Sequence, residues 1–138
     1  MLPGTVAAKP APAWPDGLYS NVRSIEETGD LVGLELRFYS EAGRRMAEIA
    51  NCQGWCNETH LAEVTRGNQG FVLRYAEMFT GAQGDVPIEI RFVVRPAGKG
   101  LAVSTYQGGE NIDTNGKPQR LRRATKQFGI AVAKSGRD

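Results

Sequence analysis

The segment Cys52-Gln53-Gly54-Trp55-Cys56 holds both cysteines of the chain, and His60, the sole histidine, follows four residues later. Three chemistries fit that set. With three intervening residues, Gly54 among them, the backbone folds back far enough for the two sulfurs to bond, as they do in oxidising compartments. Two free thiols are the second reading. A metal site is the third, with Cys52, Cys56 and His60 at equal spacing and Glu58 as a fourth ligand, although zinc favours closer cysteine pairs with a second pair or a second histidine. The disulfide takes precedence and no metal is assigned. Asn57-Glu58-Thr59 also matches the N-glycosylation sequon, which matters only in a glycosylating secretory pathway.

With one histidine, any Ser/His/Asp or Cys/His mechanism must run through His60. No local pattern pairs it with Cys56, and a lone histidine is more often structural than catalytic. An enzyme would draw its acid–base groups from Tyr75, Glu77 or His60, but no constellation brings them to one place, so no catalytic residue is assigned. Glu26, Glu27 and Asp30 crowd one turn with too few oxygens for a divalent cation. Phosphate-cradling glycine loops and nucleotide fingerprints are missing, so no cofactor is expected.

The aromatic residues are more suggestive. Tyr19, Phe38, Trp55, Phe71, Tyr75, Phe79, Phe92 and Tyr106 fall on or beside expected strands. In a small barrel, inward side chains either fill the interior or leave room for one ligand. Tyr19, Phe38, Tyr75 and Phe92 are the expected lining for a small apolar molecule, and a simply packed core is the alternative.

The elements that position these residues come from alternation. Val32, Leu34, Leu36 and Phe38 share one parity, while Gly33, Glu35 and Arg37 share the other, which gives a strand one dry and one wet face. The pattern returns at Val86, Ile88, Ile90, Phe92 and Val94. A first strand is expected over Gly17–Ile25, turning through Glu26–Asp30 into the strand at Leu31 and then, past Ser40–Arg44, into a strand to about Asn51. Leu61–Arg66 and Phe71–Met78 form a hairpin around Gly67-Asn68-Gln69-Gly70, and Leu101–Tyr106 follows the Val86–Val94 strand. Gly108–Pro118 reads as loop. Near the end, Leu121, Ala124, Phe128 and Val132 recur at helical spacing, so a short C-terminal helix competes with a closing strand over Arg120–Thr125. The fold class is all-β, a single antiparallel meander barrel of six to eight strands.

A chain of 138 residues, 41% apolar and 23% charged, suits one globular domain. Its expected parts are a flexible Pro/Ala-rich arm over residues 1–16, a barrel over 17–125 and a basic segment over 126–138. Residues 1–116 carry ten Lys/Arg against fourteen Asp/Glu, whereas 117–138 carry seven against one. That basic end suits a solvated terminus, or a segment that binds phosphates or an acidic partner, and the acidic remainder argues against sequence-specific nucleic-acid binding. No apolar run reaches the roughly 18–20 residues of a membrane-spanning helix. The Ala/Pro stretch fits the stalk behind a removed export signal, so a periplasmic or secreted location is expected, with the cytoplasm as the alternative.

The entry Trp14-Pro15-Asp16-Gly17-Leu18-Tyr19, the succession of hairpins and the late Arg120-Leu121-Arg122-Arg123 together resemble a shortened lipocalin-type (calycin) barrel. That family opens on a Gly-x-Trp motif and carries a late basic residue that packs on the tryptophan. Here the tryptophan precedes the glycine, and Arg122 or Arg123 takes the basic role. The run from Gly17 to Glu35 is also similar to the opening of small uncharacterised bacterial proteins. The resemblance implies a non-catalytic barrel that binds a small apolar molecule, or one that has lost its pocket. The competing function is a surface-acting inhibitor or assembly partner of another protein, using the Cys52–Cys56 loop, the Gly108–Lys117 loop or the basic end.

Overall fold

The computed structural model describes residues 12–135. Eleven strands and one helix follow in order: β1 (Gly17–Ser20), β2 (Arg23–Ser24), β3 (Leu31–Glu41), β4 (Arg44–Gly54), β5 (His60–Glu63), β6 (Thr65–Gly67), β7 (Gly70–Gly81), β8 (Gly84–Ala97), β9 (Gly100–Gln107), β10 (Glu110–Asn111), β11 (Gln119–Arg123) and α1 (Gly129–Ser135). They pair antiparallel in the order β5-β4-β3-β1-β11-β9-β8-β7-β6, with β2 on β3 and β10 on β9. Only Val64 separates β5, which pairs with β4, from β6, which pairs with β7. One bent segment therefore joins the two ends of the sheet, and the barrel is nearly closed.

The strand count exceeds the expected six to eight because the chain breaks where it bends. The first strand, expected unbroken over Gly17–Ile25, divides at Asn21-Val22. There the Asn21 side chain accepts the Leu34 N–H at 2.7 Å, replacing a ladder bond. Gly33 lies beneath this bend at φ +124°, and a Cβ on it would meet Asn21 Oδ1 at 2.5 Å and Val22 Cα at 2.8 Å. Only glycine lets the two chains pass so closely. The Gly108–Pro118 loop also contains the two-residue β10 and a 3₁₀ turn at Thr114–Gly116.

The C-terminal alternatives both occur, in succession. Leu121, placed on a helix by its spacing, lies on the closing strand opposite Leu101, and both are buried in the core. Closing the barrel outweighs the local helical spacing, so α1 begins later, at Gly129. The arm expected over residues 1–16 lies largely outside the described residues, but Trp14 packs against the barrel core.

Inward side chains fill the middle of the barrel. Leu36, Ile49, Leu73, Phe92, Val94 and Val103 are each 0% exposed, which leaves no water-sized space beside them. Burying each such side chain contributes about 1.5–3 kcal/mol. A second apolar cluster lies outside the barrel, where α1 brings Ile130 and Ala133 against Leu31, Ala50, Cys52 and Cys56. That helix covers part of the face that alternation assigns to water. Glu35 is consequently fully buried, accepting N–H bonds from Phe128 and Ile130 at the start of α1.

Candidate functional site

With its middle filled, the barrel keeps space at both ends. At the end where residues 12–16 enter, Trp14, Tyr19, Phe71, Pro96, Leu101 and Arg123 line a cavity of about 580 Å³, with Asp16 and Lys99 also bordering it. The Trp14 ring lies 5.2 Å from that of Phe71. The Arg66 guanidinium covers the indole at 4.4 Å and donates to the Pro12 carbonyl at 3.0 Å, while Arg45 lies 5.2 Å from the indole. These contacts fix the chain entry as a wall of the cavity.

The basic residue on the tryptophan is therefore not one of the late arginines. Trp14 leans towards Phe71 on β7 and meets Arg66 and Arg45, whereas Arg123 donates to the Tyr19 hydroxyl at 2.7 Å, with its guanidinium 5.3 Å from that ring.

The four expected lining residues fall into two separate pairs. Tyr19 and Phe38 meet edge to face at 6.1 Å, and Tyr75 and Phe92 lie 6.0 Å apart, tilted. Tyr19 borders the large cavity, while Phe38 and Phe92 belong to the packed core. Trp14, absent from the expected set, is the aromatic that shapes this end. Its signals in the sequence are its position as the one bulky aromatic in a proline-rich approach and the resemblance of that entry to the opening of a lipocalin-type barrel. Phe71 shares the parity of Leu73 and Tyr75, so alternation places it inside without giving its height in the barrel.

At the opposite end a cavity of about 370 Å³ is lined by polar groups, including Asn21, Arg23, Asn51, Gln53, Thr105 and Gln119. Several already satisfy one another: Asn21 Nδ2 donates to Gln119 Oε1 at 3.0 Å, and Asp113 Oδ1 accepts the Thr105 N–H at 2.8 Å. The Thr105 hydroxyl is buried without a partner.

Two of the three acid–base candidates meet near this end. The His60 and Tyr75 rings stack at 4.1 Å and 16°, and His60 Nε2 lies 3.4 Å from Glu58 Oε1. Stacking places faces rather than polar edges together, and among the described residues the buried Tyr75 hydroxyl has only the Asn51 side chain near it, outside good hydrogen-bond geometry. Burial pushes the Tyr75 phenol far above its ordinary range and the Glu77 and Glu58 charges push it further, while Asn51 opposes them. The phenol stays neutral and is poorly suited to act as a base.

Cys52 and Cys56 are joined in a disulfide and buried under α1. The bond removes both sulfurs from the ligand set with His60 and Glu58, and among the described residues no group of three His, Cys, Asp or Glu side chains is arranged to hold a metal. Comparison with family models, with curated proteins and with solved structures found no match to this chain.

Proposed function

We propose that this protein is an exported, non-catalytic, lipocalin-like barrel that holds a small apolar molecule with an acidic group at its arm end. The observation that carries the reading is the open depression of about 580 Å³ bordered by Trp14, Tyr19, Phe71 and Leu101, with Asp16, Lys99 and Arg123 on its rim. Apolar burial there favours binding by roughly 25 cal/mol per Å², before the costs of association. Lys99 and Arg123 outnumber Asp16 on that rim, which favours a carboxylate or sulfonate over a neutral apolar ligand. In this reading Tyr19 touches the ligand, Phe38 supports Tyr19, and Tyr75 and Phe92 belong to the remote half of the core. The disulfide supports export, since such bonds persist in oxidising compartments.

The test uses anilinonaphthalene sulfonate and dodecanoate, with a Trp55→Phe variant so that Trp14 is the only indole. Dye emission should rise, dodecanoate should reverse it, and Trp14 emission should shift with each. Folded protein that neither brightens the dye nor changes Trp14 emission with either compound overturns the proposal. The second reading, a surface-acting partner protein, draws support from Trp55 and Ile112, both substantially exposed. They sit on the disulfide loop and the Gly108–Lys117 loop respectively. This reading takes precedence if the cavity binds neither compound.

A further inference from the structure

The outer face of the β7–β8–β9 sheet sets two like charges at opposed positions. The register sets Arg74 directly opposite Arg91, and Arg91 directly opposite Tyr106. Their neighbours Leu73, Tyr75, Ile90 and Phe92 point into the core, so all three of these side chains face outward. Directly opposed residues on antiparallel strands are close enough for like charges to destabilise the pair. Neither arginine has a carboxylate partner: the ion pairs among the described residues use Arg37, Arg44, His60 and Lys134. Glu89, two positions from Arg91 on the same face, forms no ion pair with either arginine.

The Arg91 Nε–H is also buried with no acceptor among the described residues. Its guanidinium lies 4.4 Å over the Tyr106 ring, which fixes the plane of the fork. Asn68, Gln69, Arg74, Arg91 and Tyr106 together line a depression of about 380 Å³ that shares no residue with either end cavity. Two guanidiniums without a carboxylate partner among the described residues thus border one depression beside two exposed amides, a set suited to a group bearing several negative oxygens.

We propose that Arg74 and Arg91 form a binding site for a tetrahedral oxyanion, a phosphate or sulfate group. Such an anion relieves the like-charge opposition and receives the outer Nη groups of Arg91 in the bidentate geometry that guanidinium offers oxyanions. Asn68 and Gln69 add neutral donors at the rim. The phosphate chemistry is shared by free phosphate and by an anionic lipid headgroup.

Inorganic phosphate is titrated against chloride at constant ionic strength, reading the thermal midpoint and the amide resonances of Asn68, Gln69 and Arg91. Saturable binding at millimolar phosphate is expected, with affinity falling roughly tenfold in Arg91→Lys, which keeps the charge but loses the fork. Arg74→Gln should weaken binding similarly while leaving the fold intact, since it removes a repulsion. Glu89→Gln should strengthen it. Sedimentation with phosphatidylglycerol vesicles identifies the source: capture that Arg74→Gln abolishes assigns the headgroup, and phosphate binding without capture assigns the free anion. Phosphate acting no better than chloride, or binding unchanged in both arginine variants, overturns the site. This result is independent of the arm-end cavity.

Discussion

Lys134, in the last turn of α1, places its ammonium 2.9 Å from Glu48 Oε2, across 86 positions of sequence. Arg37, directly opposite Glu48 on β3, donates to the other oxygen at 2.9 Å. One carboxylate, with its side chain only 6% exposed, thus ties the helix to the outside of the barrel.

That arrangement sets a direction for stability against pH. Burial disfavours the charged form of Glu48, but the hydrogen bonds and charges of Lys134 and Arg37 outweigh it, and its pKa lies below the ordinary 4.5. A depressed native pKa means that the unfolded chain binds the proton first. The stabilisation is complete above the ordinary carboxylate range and is lost as pH falls through the native value. Urea midpoints should decline in that acidic window, and less so in Glu48→Gln. A variant declining as steeply as the parent would show that other carboxylates carry the effect.

Glu35 holds the other end of the helix. Its Oε2 accepts the Phe128 N–H at 3.0 Å and the Ile130 N–H at 2.8 Å, supplying partners that the first turn cannot find within itself. Glu35→Gln keeps an acceptor but loses the charge, and should cost about 1–2 kcal/mol, while Glu35→Ala strands buried donors and should cost about 3 kcal/mol. Urea unfolding measures both, and hydrogen exchange at Ile130 should quicken before that of the barrel strands. Equal stability of all three proteins would remove Glu35 as the anchor.

Glu35 also marks how far alternation can be read. Parity correctly placed Leu34, Leu36 and Phe38 inside, and it set Glu35 on the opposite face. It carries no information on what later covers that face, so a residue assigned to water is fully buried by α1. Parity also leaves out height along the barrel axis, which is why four inward aromatics read as one lining prove to be two pairs. Trp14 was less legible still. It sits in a stretch without periodicity, and its contacts with Phe71 and Arg66 are long-range. The disulfide was within reach of local spacing because both its ends lie in one short segment.

Trp14 should therefore matter to folding. Trp14→Ala removes an indole held between Phe71 and Arg66 and opens that end of the core to water. The expected loss is about 2 kcal/mol, comparable to exposing one large apolar side chain. Arg66→Met keeps the covering stem and should lose less than half as much, because the contact is a partly exposed cation–π pair of about 0.5–1 kcal/mol. Thermal melts of the two variants decide the ordering. An Arg66→Met loss equal to that of Trp14→Ala would mean that charge rather than packing closes this end.

Reduction of Cys52–Cys56 should act locally. Bonded residues only four apart enclose a short loop, for which loss of chain entropy on cross-linking implies about 2 kcal/mol. Both cysteines belong to the outer cluster with Ile130 and Ala133, whereas Leu36, Leu73 and Phe92 belong to the barrel core. Breaking the bond frees the loop bearing Trp55 and loosens the surface on which the first turn of α1 rests. A Cβ on Gly129 would meet Cys52 Sγ at 3.1 Å, which shows how closely the two are packed. Hydrogen exchange after treatment with a phosphine reductant should therefore rise over residues 53–59 and in α1, with core strand amides still protected. Uniform loss of protection would show instead that the disulfide supports the whole barrel, and that the two clusters unfold as one.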